Sequence, residues 1–156
     1  MSRFRIAVFV LLLVSGSMAQ DRKIPVSVSR MGKDKVGSLL VAALNRELSQ
    51  SNRYQPMPAQ GIDQGLRFYI EVATADVTDG GQKRDNRSAV SVVIEDMGLP
   101  SSFPIATKWY HKVLVVDQKT TSKIAKELLE DMNARWCNYI KSSVGGCPKE
   151  TLYPTK

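Results

Sequence analysis

Two stretches of this chain place apolar residues at every third or fourth position, and each can bury only one side of itself. Val36, Leu39, Leu40, Ala43, Leu44 and Leu48 make the first stripe; Ile124, Leu128, Met132, Trp136, Tyr139 and Ile140 make the second. That spacing gathers side chains along one face of an α-helix. A helix with a single apolar stripe needs another layer to cover it. Runs with a period of two supply that layer. Ile24, Val26 and Val28 alternate with Pro25, Ser27 and Ser29; Leu66, Phe68, Ile70 and Val72 alternate with Arg67, Tyr69 and Glu71; Val90, Val92 and Ile94 mark a third run. Alternation of this kind puts one set of side chains on each face of a strand. The fourth run, 107–117, ends in four apolar residues, Val113, Leu114, Val115 and Val116, and reads as an interior strand.

The spacing therefore predicts strands over 24–29, 66–75, 88–95 and 107–117, and helices over 34–51 and 120–142. Asp34 can accept from the free amides of the first helical turn, and Thr120 or Thr121 can cap the second helix. Pro25 lacks a backbone donor, which places the start of its strand at an edge or outside the ladder. Residues 54–65 hold Pro56, Pro58, Gly61 and Gly65 and read as loop. Residues 76–87 are polar and read as a hairpin tip. The order β-α-β-β-β-α folds as an α+β two-layer sandwich. It has an about four-stranded, largely antiparallel sheet with both helices on one face.

The first nineteen residues stand apart from this pattern. Arg3 and Arg5 precede a short apolar run from Ile6 to Val14, and Ser17 and Ala19 sit before Gln20. A cationic start, a short greasy run and a small-residue exit describe a secretory signal peptide. The run is shorter than the ~20 residues a membrane span needs. The expected division is a leader over 1–19, one α+β domain over 20–147 and a tail over 148–156. Removing the leader leaves 137 of the 156 residues, enough for one core, with 20 basic against 15 acidic side chains. A net +5 reads first as solubilising surface charge; as a binding signal outside the cytosol it points to an anionic envelope component or an envelope protein, and away from nucleic acid. Periplasm and medium are equally open, and the oligomeric state is not written in the pattern.

Export also governs how the two cysteines read. Cys137 and Cys147 are separated by a segment ending in Gly145 and Gly146, a spacing unlike the C-x-x-C of redox motifs. In an oxidising compartment they form a structural disulfide tying the tail to the last helix. No metal or cofactor is expected. Only His111 could join the two thiolates, and Asp76, Asp79 and Asp85 do not follow the calcium-loop spacing. Gly80 and Gly81 beside Lys83 and Arg84 lack the pattern that cradles phosphate.

The stretch 36–44, followed by Ser49, Gln50, Ser51, Asn52, Arg53 and Tyr54 and then by strands and a last helix, resembles small exported bacterial proteins of unknown function. It is also similar in layout to the N-terminal domain of the TolB periplasmic protein. The resemblance implies an envelope protein that works through contacts with partners, and it transfers no catalytic residue.

Two surfaces are the expected contact sites. If the helices cover the side holding Phe68 and Ile70, the other side presents Arg67, Tyr69, Lys108, Tyr110 and Lys112, aromatics among cations. The proline-broken segment 97–106 carries Met97, Leu99, Phe103 and Ile105, an apolar patch if exposed. A small hydrolase is the alternative class, with His111 as general base beside Asp96 or Asp117 and a serine. No nucleophile motif accompanies it. A released effector or inhibitor is a third possibility consistent with export.

Overall fold

A computed structural model describes residues 23–58, 67–79, 81–97, 107–144, 147 and 152–154. Residues 1–19, expected as a leader, and Leu66, Leu99, Phe103 and Ile105 lie outside the described residues.

The elements run β1 (Ile24–Met31), α1 (Lys35–Gln50), β2 (Tyr54–Pro56), β3 (Phe68–Asp79), β4 (Gln82–Asp96), β5 (Thr107–Asp117), a 3-10 turn (Gln118–Thr120) and α2 (Thr121–Val144). They form one five-stranded sheet in the order β2-β1-β3-β4-β5. β1 pairs parallel with both β2 and β3. β3, β4 and β5 form an antiparallel meander. The class is α+β as the helix and strand periods require, with one more strand than the sequence pattern counted.

That extra strand is β2, three residues at the head of the stretch read as loop. It lies along β1 in the register Ile24 to Tyr54. β1 is consequently an interior strand, so of the two places expected for its start, an edge or outside the ladder, the second holds on the β3 side. Pro25 is tolerated because it precedes the β1–β3 ladder, which begins at Val26. Its carbonyl still accepts from the Arg67 amide. β3 and β4 also run further than expected, into the segment read as a hairpin tip. Gly81, with φ of +81°, turns the chain there, and the register shifts between Asp76 and Thr78.

α1 begins where Asp34 caps it: the Gly37 amide donates to Asp34 Oδ1 at 2.7 Å. Thr74 and Ser88 also donate to that carboxylate, the latter at 2.8 Å. Burial by itself would raise the Asp34 carboxyl. The hydrogen bonds from Thr74, Gly37 and Ser88 outweigh it and hold the group below the ordinary carboxylate range. Two glycines admit Thr74 at this junction. A Cβ on Gly37 or on Gly32, whose φ is +114°, would sit 2.6 Å from Thr74 atoms. The helix start is thus pressed onto β3.

The core lies between the sheet and the two helices. Val26, Phe68, Ile70, Val72, Val90, Val92, Ile94 and Val116 face Val36, Leu40, Leu44 and Leu48 of α1 and Ala125, Leu128, Leu129 and Met132 of α2. The second helix departs from its expected stripe at Tyr139, which is 60% exposed and stacks on Trp136. The first described residue and the last described segment meet at one corner. Lys23 donates to the Ser51 carbonyl at 2.6 Å, while the Leu152 carbonyl accepts from the Asn52 amide at 2.9 Å and from Ser51 Oγ at 3.3 Å. No described helix is long and apolar enough to cross a membrane.

Candidate functional site

Strand alternation and one β-bulge decide which side chains reach the sheet face opposite the helices. The ladder between β4 and β5 shifts between Ile94 and Glu95: Ile94 pairs with Tyr110, and Glu95 with Lys108. Trp109 is the inserted residue, and it stacks on Phe68 at 5.4 Å.

Tyr110 shares the face of its partner Ile94, the core face, and is 7% exposed. Its hydroxyl donates to Asp131 of α2 at 3.1 Å, and Lys112 donates to the same carboxylate at 3.2 Å. Burial, then the hydrogen bond to Asp131, raises the Tyr110 phenol. The bond to Asp131 raises the Lys112 ammonium. Arg67 wraps around the end of the sheet. It bonds Asp96 at 2.8 Å and lies 4.9 Å over the Trp136 ring. Asp96 stands opposite Phe68, on the core side. The cationic, aromatic face expected from the sequence therefore does not assemble. Arg67, Tyr110 and Lys112 turn to the core side of the sheet, where Asp96 of β4 and Asp131 and Trp136 of α2 receive them.

Tyr69 does lie on the far face, where its hydroxyl donates to Ser29 at 2.7 Å. Lys108 keeps its backbone position opposite Glu95. Met97 is half-buried, and its amide donates to the Arg67 carbonyl at 2.9 Å.

The far face has a different composition from the one expected. Near β1 it is closed, with Ser27 1% exposed. Toward β5 it opens onto Ala73, Ala75, Ala89 and Ser91, a floor of small side chains along β3 and β4. Val113 and Val115 border that floor, opposite Ser91 and Ala89, and are 67% and 64% exposed. Among the described elements none covers these positions, and β5 is the last strand of the sheet. The double-sided apolar run was read as interior; it is an edge strand with one valine pair in solvent.

His111 is exposed on this face, and its Nε2 lies 3.0 Å from Ser91 Oγ. The carboxylates expected near it are elsewhere: Asp96 binds Arg67, and Asp117 binds Arg87 at 3.8 Å. Among the described residues no group of three metal-ligating side chains converges. The cleft beside the α1 start, lined by Lys33, Asp34, Thr74, Ala75 and Asp76, has its central carboxylate spent on internal donors.

The Cys137 and Cys147 sulfurs are bonded, with their Cα atoms 4.9 Å apart. Arg53, which the sequence pattern did not single out, donates to Cys137 Sγ at 2.8 Å and to Asn133 Oδ1 at 2.9 Å. A residue 84 positions away in the chain carries no local signal of such a contact.

No family model and no curated protein matches this chain. Solved structures do. A PelC dodecamer from Paraburkholderia phytofirmans matches with a TM-score of 0.42 at 14% identity, over 72% of this chain and 88% of that one. A hypothetical protein from Chlamydia trachomatis matches with 0.41 at 11%, over 73% and 95%. A candidate lipoprotein from Caulobacter crescentus matches with 0.40 at 10%, over 75% and 90%.

Proposed function

We propose that this chain is an exported, non-enzymatic module that binds a protein of the cell envelope through the open sheet face beside β5. The observation that carries the reading is the Val113–Val115 pair standing in solvent over a floor of alanines and a serine. Side chains this apolar beside a row of small residues fit a partner's larger apolar groups. An anionic headgroup or glycan fits less well, because Arg67 and Lys112 are turned onto Asp96 and Asp131. The 97–105 segment, with Met97, Leu99, Phe103 and Ile105, is a second proposed contact. The disulfide suits an oxidising compartment, and the leader pattern supplies the route to it.

The test is a photo-crosslinking amino acid placed at Val113 or Val115 in the exporting cell, against the same probe at Lys123 on the helix side. A discrete adduct with one envelope protein is expected from the sheet positions only, lost when the other valine is changed to Asp. Equal adducts from both sides, or none from either, would sink the proposal. Mass spectrometry of the mature chain should find Gln20 at the N-terminus.

One observation favours the hydrolase reading, the Ser91–His111 contact. Ser91→Ala and His111→Ala separate the two: a binding module keeps its adduct, and a hydrolase loses turnover of ester substrates.

A further inference from the structure

Cys137 lies in the C-terminal third of α2, and its bonded partner Cys147 lies three residues beyond the helix end. A cation faces the Cys137 sulfur. The Arg53 guanidinium touches Cys137 Sγ at 2.8 Å. Asn133 fixes that guanidinium through Oδ1, which also accepts from the Tyr54 hydroxyl at 3.3 Å. Arginine stays charged at every pH a cell reaches. A neutral disulfide sulfur is a poor acceptor for such a donor, whereas a thiolate is a strong one. The contact therefore gains strength only when Cys137 carries negative charge, which happens as the disulfide opens. A leaving thiolate stabilised in this way departs faster.

We propose that Cys147 is a thiol-exchange site for small thiols, with Cys137 as the leaving sulfur and Arg53 as the residue that holds its charge. An external thiolate attacks Cys147 Sγ. A new S–S bond forms between the thiol and Cys147, the Cys147–Cys137 bond breaks, and its electron pair leaves on Cys137 as a thiolate beside Arg53. A second thiolate then attacks the external sulfur of the mixed disulfide. It frees Cys147 and carries away the oxidised thiol pair, so the protein gains the two electrons that the thiols lose.

Exchange has a structural consequence. The bridge joins α2 to the tail segment, and five residues beyond Cys147 the tail reaches its seat. There the Leu152 carbonyl accepts from the Asn52 amide, and the Tyr153 ring lies 5.5 Å under the Lys126 ammonium. Opening the bridge removes the covalent tie between α2 and the segment that leads to this seat. Asn52 neighbours Arg53, so the group that assists exchange and the seat it loosens share one turn.

Reduced glutathione is the probe, applied to the oxidised mature protein at a fixed neutral pH with quenching and peptide mapping. The native protein should carry the first adduct on Cys147, while in urea, where Arg53 is no longer placed, adducts should spread over both cysteines. Arg53→Met should slow native exchange at least about tenfold, and Arg53→Lys should restore part of the rate. Hydrogen exchange at the Asn52 amide should speed up on reduction. A native adduct on Cys137, or a native distribution equal to that in urea, overturns the proposal even if Arg53→Met does not fold. An Arg53→Met variant with native circular dichroism and an unchanged exchange rate overturns it as well.

Discussion

Asp34 receives the Gly37 amide, Ser88 and Thr74 on one carboxylate, joining the start of α1 to β3 and β4. Asp34→Ala removes a helix cap and leaves two hydroxyls without that acceptor, so urea unfolding should show a loss of about 2–3 kcal/mol. The pH dependence has a definite sign. A carboxyl held below its unfolded value contributes stability that is complete above about pH 4 and is lost as pH falls through the folded value. Asp34→Asn should therefore flatten the acid limb of a stability-against-pH curve. Gly37→Ala should cost about 1–3 kcal/mol, because the new Cβ meets the Thr74 side chain. The cap was legible in the sequence, since an Asp just before an apolar period of three and four is a local signal. Its other partners were not, because Thr74 and Ser88 lie 40 and 54 positions away. Arg67 illustrates the same limit. Alternation put it on the open face, but it sits just before β3 begins, where Asp96 and Trp136 draw it around the sheet's end. Arg67→Glu should thus lower stability, a loss that thermal unfolding would register.

Element types were readable from period alone, because burial on one side of a helix or strand imposes it. Neighbours within the sheet were not. β2 is three residues long and has no period to read, yet its parallel pairing turns β1 into an interior strand. The bulge at Trp109 is one residue of register, invisible in an alternating run. β5 shows the cost of reading position from hydrophobicity. Its valines are apolar on both faces, yet it ends the sheet. The two faces predict opposite outcomes in equilibrium unfolding. Val116 is fully buried, and Val116→Ala should cost about 2 kcal/mol. Val115→Lys should stay within about 0.5 kcal/mol while weakening the crosslink proposed above.

At the scale of the molecule, two helices cover one side of a five-stranded sheet, and the disulfide fastens the last helix to a returning tail. Closing a loop of this size contributes about 3 kcal/mol. Replacing both cysteines with Ser should lower the unfolding free energy by about that amount, with the tail's Leu152 and Tyr153 contacts loosening first under hydrogen exchange. The meeting of Lys23 and Leu152 on the turn at Ser51 and Asn52 has a topological consequence. Because both ends of the described chain reach the same corner, a short linker could close the backbone into a ring. Cutting that ring at Gly81 would give new termini at a hairpin end, leaving the β2-β1-β3-β4-β5 order intact. Such a circular permutant should fold to the same sheet.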